Sequence, residues 1–263
     1  MNKVFVNGVN ICYESVGEGV PLIGILGKDS NMNWWNPAMR EGLSESNRFI
    51  MLDNRGTGGS DAPEEAYSIS DMAKDVVGLM DALDIDKGHI LGISMGGMIG
   101  QEIAIEFPNR VEKLVLCSTT CGVTRALPSL RMLNWMSRSR KSPGFSPQDT
   151  LQMLFSHTYI QENPDRIREF IKRMQIDIPN PRSVEIHQQA VKKFDSYDRL
   201  GRITAPTLIL HGEEDWVFRP RHAKILNQRI AGSKLIMVPN AAHGIFSQEG
   251  SKVLEEIRRF IKK

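Results

Sequence analysis

No stretch of this chain approaches the roughly 18 uninterrupted apolar residues of a membrane-spanning helix, so no transmembrane segment is expected. Cysteine is scarce: Cys12, Cys117 and Cys121 make three in 263 residues. An odd, small number indicates free thiols and a reducing compartment rather than a disulfide framework. Cys117 and Cys121 stand four apart, but no histidine or further cysteine near them completes a metal site. Both read as small core residues, and neither a metal nor a cofactor is expected. Charge of one sign is also missing. A formal net charge of +2, with no alternation of basic and aromatic residues, gives no basis for nucleic-acid binding. The first eight residues, 1–8, hold too short an apolar run for a secretion signal, so a cytoplasmic location is expected.

What the chain does contain is ordinary globular composition, 41% hydrophobic and 24% charged, which argues against disorder. Its most informative stretch is 89–101. An apolar, strand-like run from Ile90 to Ile93 meets Ser94 and passes at once into a helical pattern of Met98, Ile99, Glu102, Ile103 and Ile105. A serine at such a junction must turn sharply, and side chains at Gly92 or Gly96 would collide with the turn. Gly92-Ile93-Ser94-Met95-Gly96 is the pattern of a nucleophile elbow, which holds a hydroxyl at the carboxyl end of a strand and the amino terminus of a helix.

The rest of the chain fits an alternating core around that point. Asn7-Gly8 between two apolar runs predicts a hairpin over residues 3–15. Buried strands are predicted at 21–26, 49–52 and 111–117, with a helix from Ser70 that has Asp71 in its first turn. Strands alternating with helices imply a doubly wound, mostly parallel sheet whose ligands bind at the carboxyl ends of the strands. From about 123 to 202 the strand rhythm stops. Helical segments punctuated by prolines replace it, with apolar groups at Leu127, Leu130, Met132, Leu133, Trp135 and Met136, and at Leu151, Met153, Leu154 and Phe155. This predicts a helical cap at 123–202 inserted in a core of 1–122 and 203–263. Strands return at 207–210 and 234–238, with helices at 221–230 and 248–261.

A serine hydroxyl needs a base to take its proton, and that base needs an orienting carboxylate. Two later strands end in suitable loops: His211-Gly212-Glu213-Glu214-Asp215, and Pro239-Asn240-Ala241-Ala242-His243-Gly244. Among six histidines, His89 begins the elbow strand at its far end, His157 and His187 fall in the insertion, His222 opens a helix, and His211 lies within a strand end. His243 alone follows a strand on a loop of small residues. Asp215 is the expected acid, with Glu213 and Glu214 as rivals that otherwise read as solvated turn residues. The order is Ser94, Asp215, His243.

With these residues in place the chain resembles the α/β-hydrolase superfamily with a helical cap, in the branch of small carboxylesterases, enol-lactonases, C–C bond hydrolases and haloperoxidase-like enzymes. The resemblance rests on Gly92 to Gly97, on Asp53-Asn54-Arg55-Gly56-Thr57-Gly58-Gly59-Ser60, on Gly212 to Asp215, and on Ala242-His243-Gly244. It implies an oxyanion hole of two backbone N–H groups, from Met95 and from Lys28, with Gly27 or Asp29 as alternatives to Lys28. Where the family often has a His-Gly pair, this chain reads Leu26-Gly27-Lys28. Haloalkane dehalogenases of this fold carry an aspartate at the nucleophile position, so Ser94 disfavours that chemistry.

The function expected is hydrolysis of carboxylic esters of small molecules through an acyl-enzyme. Lactone hydrolysis is one alternative. Another is thioester hydrolysis or acyl transfer on an anionic carrier, prompted by the basic run Arg125, Arg131, Arg138, Arg140 and Lys141; a hydrolase-fold receptor is a third. Trp34, Trp135 and Met136 are candidates to line the substrate pocket, and two adjacent tryptophans, Trp34 and Trp35, cannot both face it. A homo-oligomer is compatible with the sequence, which does not specify one.

Overall fold

The computed structural model describes residues 1–126, 130–131 and 147–262. The expectations placed on Leu127, Met132, Leu133, Trp135, Met136, Arg138, Arg140 and Lys141 lie outside the described residues. The strands are β1 (Asn2–Val6), β2 (Val9–Val16), β3 (Val20–Ile25), β4 (Asn47–Leu52), β5 (Gly88–Ile93), β6 (Val111–Cys117), β7 (Thr207–Gly212) and β8 (Lys234–Val238). The helices are α1 (Pro37–Ser44), α2 (Ile69–Ala82), α3 (Met95–Glu106), α4 (Pro147–Leu154), α5 (His157–Glu162), α6 (Pro164–Met174), α7 (Pro181–Lys193), α8 (Pro220–Arg229), α9 (Ile245–Gln248) and α10 (Gly250–Lys262).

The eight strands form one sheet in the order β1-β2-β4-β3-β5-β6-β7-β8. β1 and β2 are an antiparallel hairpin turned at Asn7 and Gly8, whose φ values of 47° and 80° are those an Asn-Gly turn supplies. β2 is antiparallel to β4, and β3 to β8 run parallel. Successive residues of the central strands face opposite sides, so near-continuous apolar runs feed two cores. Ile23, Ile90, Leu114 and Ile209 pack with α2, α3 and α8, while Leu22, Leu91, Val115 and Leu208 pack with α1 and α10. Each such side chain, fully buried, contributes about 1.5–3 kcal/mol.

Most element boundaries move by one or two residues, and the helix starts at residues 69 and 250 show where local bonding sets them. α2 starts at Ile69 rather than Ser70, because Ser68 stands three residues before Asp71 and the two bond reciprocally as a capping box. The helix expected over 248–261 is split at Glu249 into α9 and α10. Among the described residues, what lies between β6 and β7 is α4 to α7 and two 3₁₀ turns, Val123–Arg125 and Tyr197–Arg202, with no strand. Phe155, Ile167, Phe170 and Met174 form a small core within this insertion. Leu130, expected in an apolar group, is instead 80% exposed.

Candidate active site

β5 ends at Ile93 and α3 begins at Met95, which leaves Ser94 alone to make the turn, at φ 56° and ψ −115°. A non-glycine residue there stores about 1–3 kcal/mol of strain, and the surroundings enforce it. A Cβ on Gly92 would stand 2.3 Å from the Gly96 carbonyl oxygen, and one on Gly96 would stand 2.1 Å from that of Ile25. Ser94 N–H donates to the Cys117 carbonyl at 2.9 Å, and Thr119 Oγ1 donates to the Ser94 carbonyl at 2.6 Å.

His243 Nε2 lies 2.9 Å from Ser94 Oγ, and His243 Nδ1 lies 2.7 Å from Asp215 Oδ2. An ionised carboxylate only accepts, so Nδ1–H donates to it and Nε2 is left to accept the Ser94 hydroxyl proton. The second carboxylate oxygen, Oδ1, accepts from Val217 N–H at 2.9 Å and Phe218 N–H at 3.0 Å. The Asp215 side chain is fully buried, which by itself would raise its pKa; His243 and the backbone donors outweigh burial and hold it below the ordinary carboxylate value. Glu213 and Glu214 are exposed. Burial therefore separates Asp215 from its rivals.

The remaining histidines are placed elsewhere. His89 is buried in β5, where burial pushes it down to about 4. His157 opens α5, and His187 on α7 donates Nε2–H to the Arg55 carbonyl at 2.9 Å. His222 Nδ1 bonds Thr120 Oγ1 at 2.7 Å. His211 sits inside β7, beside Asp215, but does not reach Ser94's partner position.

The loop after β3 passes directly against Ser94: a Cβ on Gly27 would stand 3.1 Å from Ser94 Cβ. Asn54 Nδ2 holds the Leu26 carbonyl at 3.2 Å and Ser30 Oγ holds that of Gly27 at 2.8 Å. Met95 is the first residue of α3, so its N–H has no intrahelical acceptor. The Lys28 side chain pairs with Asp29. Burial would raise the Asp29 carboxyl; the Lys28 ammonium, with His187 behind it, carries it below its usual range. Asp53, in the quoted loop motif, accepts Met32 N–H and Gly59 N–H and so ties this loop to the one at 53–61.

Trp34 and Trp35 face different surroundings. Trp34 meets Phe170 of the insertion edge-on at 5.5 Å, whereas Trp35 is buried under the sheet against Phe49 and Phe246. Arg125 of the basic run pairs with Asp195 and stacks on Tyr197, and Arg131 lies over the Trp216 ring. Two buried glutamines were not singled out in the sequence. Gln101 donates to the Gly97 and Thr120 carbonyls behind the elbow, and Gln248 accepts Ala242 N–H at 2.8 Å beside the histidine loop. A polar residue inside an apolar helical face was the one signal for Gln101. A cavity of ≈ 380 Å³ beside Tyr67, Asp71, Gln189 and Lys193 is not lined by Ser94, Asp215 or His243. Among the described residues no cluster of His, Cys, Asp and Glu could hold a metal ion, and no helix is long and apolar enough to cross a membrane.

Residues 22–249 match the family model described as alpha/beta hydrolase fold. The pimeloyl-[acyl-carrier protein] methyl ester esterase of Nitrosospira multiformis is 27% identical over 97% of this chain and 99% of its own length. The 3-oxoadipate enol-lactonase 2 of Acinetobacter baylyi is 28% identical over 78% of this chain and 75% of its own. Among solved structures, the esterase of Exiguobacterium antarcticum superposes with a TM-score of 0.85 at 26% identity, covering 98% of this chain and 97% of that one. The chain belongs to the α/β-hydrolase fold family.

Proposed function

We propose that the protein is a serine hydrolase that cleaves carboxylic esters of small molecules through an acyl-enzyme. Ser94 Oγ attacks the ester carbonyl while His243 Nε2 takes its proton, and Asp215 fixes the imidazole tautomer and balances its charge. The tetrahedral oxyanion is held by Met95 N–H and Lys28 N–H. His243 returns the proton to the leaving alcohol, then activates a water that releases the acid and regenerates Ser94. The observation that carries this reading is the unbroken Ser94–His243–Asp215 chain at 2.9 and 2.7 Å.

We assign residues 123–202 to a cap over this site, supported by the helices between β6 and β7 and by the Trp34–Phe170 contact. Three free, buried thiols support a cytoplasmic location. Lactone hydrolysis is the second reading, favoured by the similarity to the Acinetobacter enol-lactonase; the same steps apply, with the leaving alcohol still tethered to the acyl group. An anionic carrier is less well supported, since Asp195 neutralises Arg125.

The test is pre-steady-state release of p-nitrophenol from a short acyl ester. The parent is expected to show a burst equal to its active-site concentration and Ser94→Ala none. A burst that survives in Ser94→Ala overturns the assignment. A fluorophosphonate that labels Ser94 without ester or lactone turnover would replace it with a receptor.

A further inference from the structure

His211, the penultimate residue of β7, has a fully buried side chain, and no step above uses it. Its Nε2 lies 2.6 Å from the Phe218 carbonyl oxygen. A carbonyl only accepts, so the ring proton sits on Nε2. The same Nε2 stands 3.4 Å from Asp215 Oδ2, the oxygen that receives His243 Nδ1–H. Phe218 is thereby held from three sides. Its N–H donates to Asp215 Oδ1, its carbonyl accepts from His211, and its ring meets the His243 ring edge-on at 5.5 Å. One phenylalanine thus spans the acid through its backbone and the base through its side chain, and His211 anchors it.

We propose that His211 is a positioning residue for the triad: its Nε2–H pins the Phe218 carbonyl while the same edge of the ring lies beside Asp215, so that acid and base keep their register. The proposal rests on the serine-hydrolase reading. The charged and titratable groups around His211 are Asp215 and His243 on the triad loops and His222 on α8, with Arg219 and Arg221 beyond His222. Burial pushes both His211 and His222 below the ordinary histidine value, so both are neutral at neutral pH and add only dipoles. Removing the His211 N–H takes a positive dipole end from Asp215 Oδ2 and leaves the Phe218 carbonyl unpaired. The first change makes the potential at His243 more negative; the second frees Phe218 to shift. The base then keeps its proton to higher pH, and the acid limb of kcat/KM moves upward.

The experiment compares His211→Leu with His211→Gln, whose amide nitrogen reaches the same carbonyl. The leucine variant is expected to lose about tenfold or more in kcat with KM little changed, as misplacement of a catalytic group does. Its acid limb should move upward through the change in local potential, and the low-field proton resonance of His243 Nδ1–H should shift. The glutamine variant should restore all three. Where leucine prevents cooperative unfolding, His211→Asn, whose amide falls short of Phe218, takes its place with the same expectations. A folded leucine or asparagine variant with the parental acid limb and resonance overturns the proposal. So does a glutamine variant as impaired as leucine. The resonance needs no turnover, so a parent that fluorophosphonate does not label would strike the hydrolase reading alone.

Discussion

Gly244 donates its backbone N–H to the Leu154 carbonyl at 2.7 Å. The donor is the residue after His243 and the acceptor is the last residue of α4, so the helical insertion is seated on the histidine loop. Trp216, the residue after Asp215, donates Nε1–H to the Gln152 carbonyl of the same helix at 3.1 Å. Carbonyls in a last helical turn lack intrahelical donors; here one of them meets the acid loop and another the base loop. Tyr159 adds a third tie, its hydroxyl donating to the Ser247 carbonyl at 2.8 Å.

Gly244→Ala tests that seat. Its φ of −86° suits alanine, but the new Cβ would stand 2.8 Å from the Leu154 carbonyl oxygen, so helix and loop must part. The expected cost is about 1–3 kcal/mol of stability, as for other overpacked sites, together with about a tenfold fall in kcat/KM from displacement of His243. Urea denaturation and steady-state kinetics check the two effects separately.

Asp215→Asn keeps the shape of the acid but puts either a donor or a weaker acceptor where His243 Nδ1–H now points. The wrong imidazole tautomer then faces Ser94, and kcat should fall by about 10⁴ with the fold intact. Glu213→Gln and Glu214→Gln, both exposed, should stay close to the parent. An equal loss in either glutamate variant would move the acid away from Asp215.

Stability should decline on acidification before any carboxylate of ordinary pKa is titrated. His89 and His222 are each pushed down to about 4, chiefly by burial, whereas in the unfolded chain each titrates near about 6.5. Above that value both states are neutral and neither histidine contributes. Between about 6.5 and 4 the unfolded chain binds protons that the folded chain refuses, so stability falls by at most about 1.4 kcal/mol per pH unit for each group. Urea midpoints measured through this window should drop steadily, and His222→Gln should flatten the slope. An unchanged slope in that variant would show that His222 is not held neutral.

The parts of the molecule legible in the sequence are those specified by near neighbours. The Asn7-Gly8 turn, the Gly92 and Gly96 spacing around Ser94, and the strand ends carrying Asp215 and His243 each depend on a few adjacent residues. The capping box of α2 was also local, but Ser70 drew the boundary away from Ser68 because only Ser68 has Asp71 three residues on. What escaped depends on residues far apart in sequence. Gln248 serves both Ala242 N–H and Ser156 Oγ, so its amide is committed to the histidine loop, and the backbone leaves the helix at Glu249, at φ −118° and ψ 37°. Leu130 is apolar by composition, yet it is exposed. The pairing of Arg125 with Asp195 joins residues 70 positions apart, a relationship that a run of positive charge does not reveal.

The neighbouring indoles of Trp34 and Trp35 sit in two different surroundings although one peptide bond separates them. Trp35 is sealed beneath the sheet, while Trp34 touches a ring of the insertion. With Trp35, Trp135 and Trp216 replaced by phenylalanine, Trp34 emission becomes a built-in optical gauge of whatever the insertion does when a ligand enters, with no dye attached near the reaction centre.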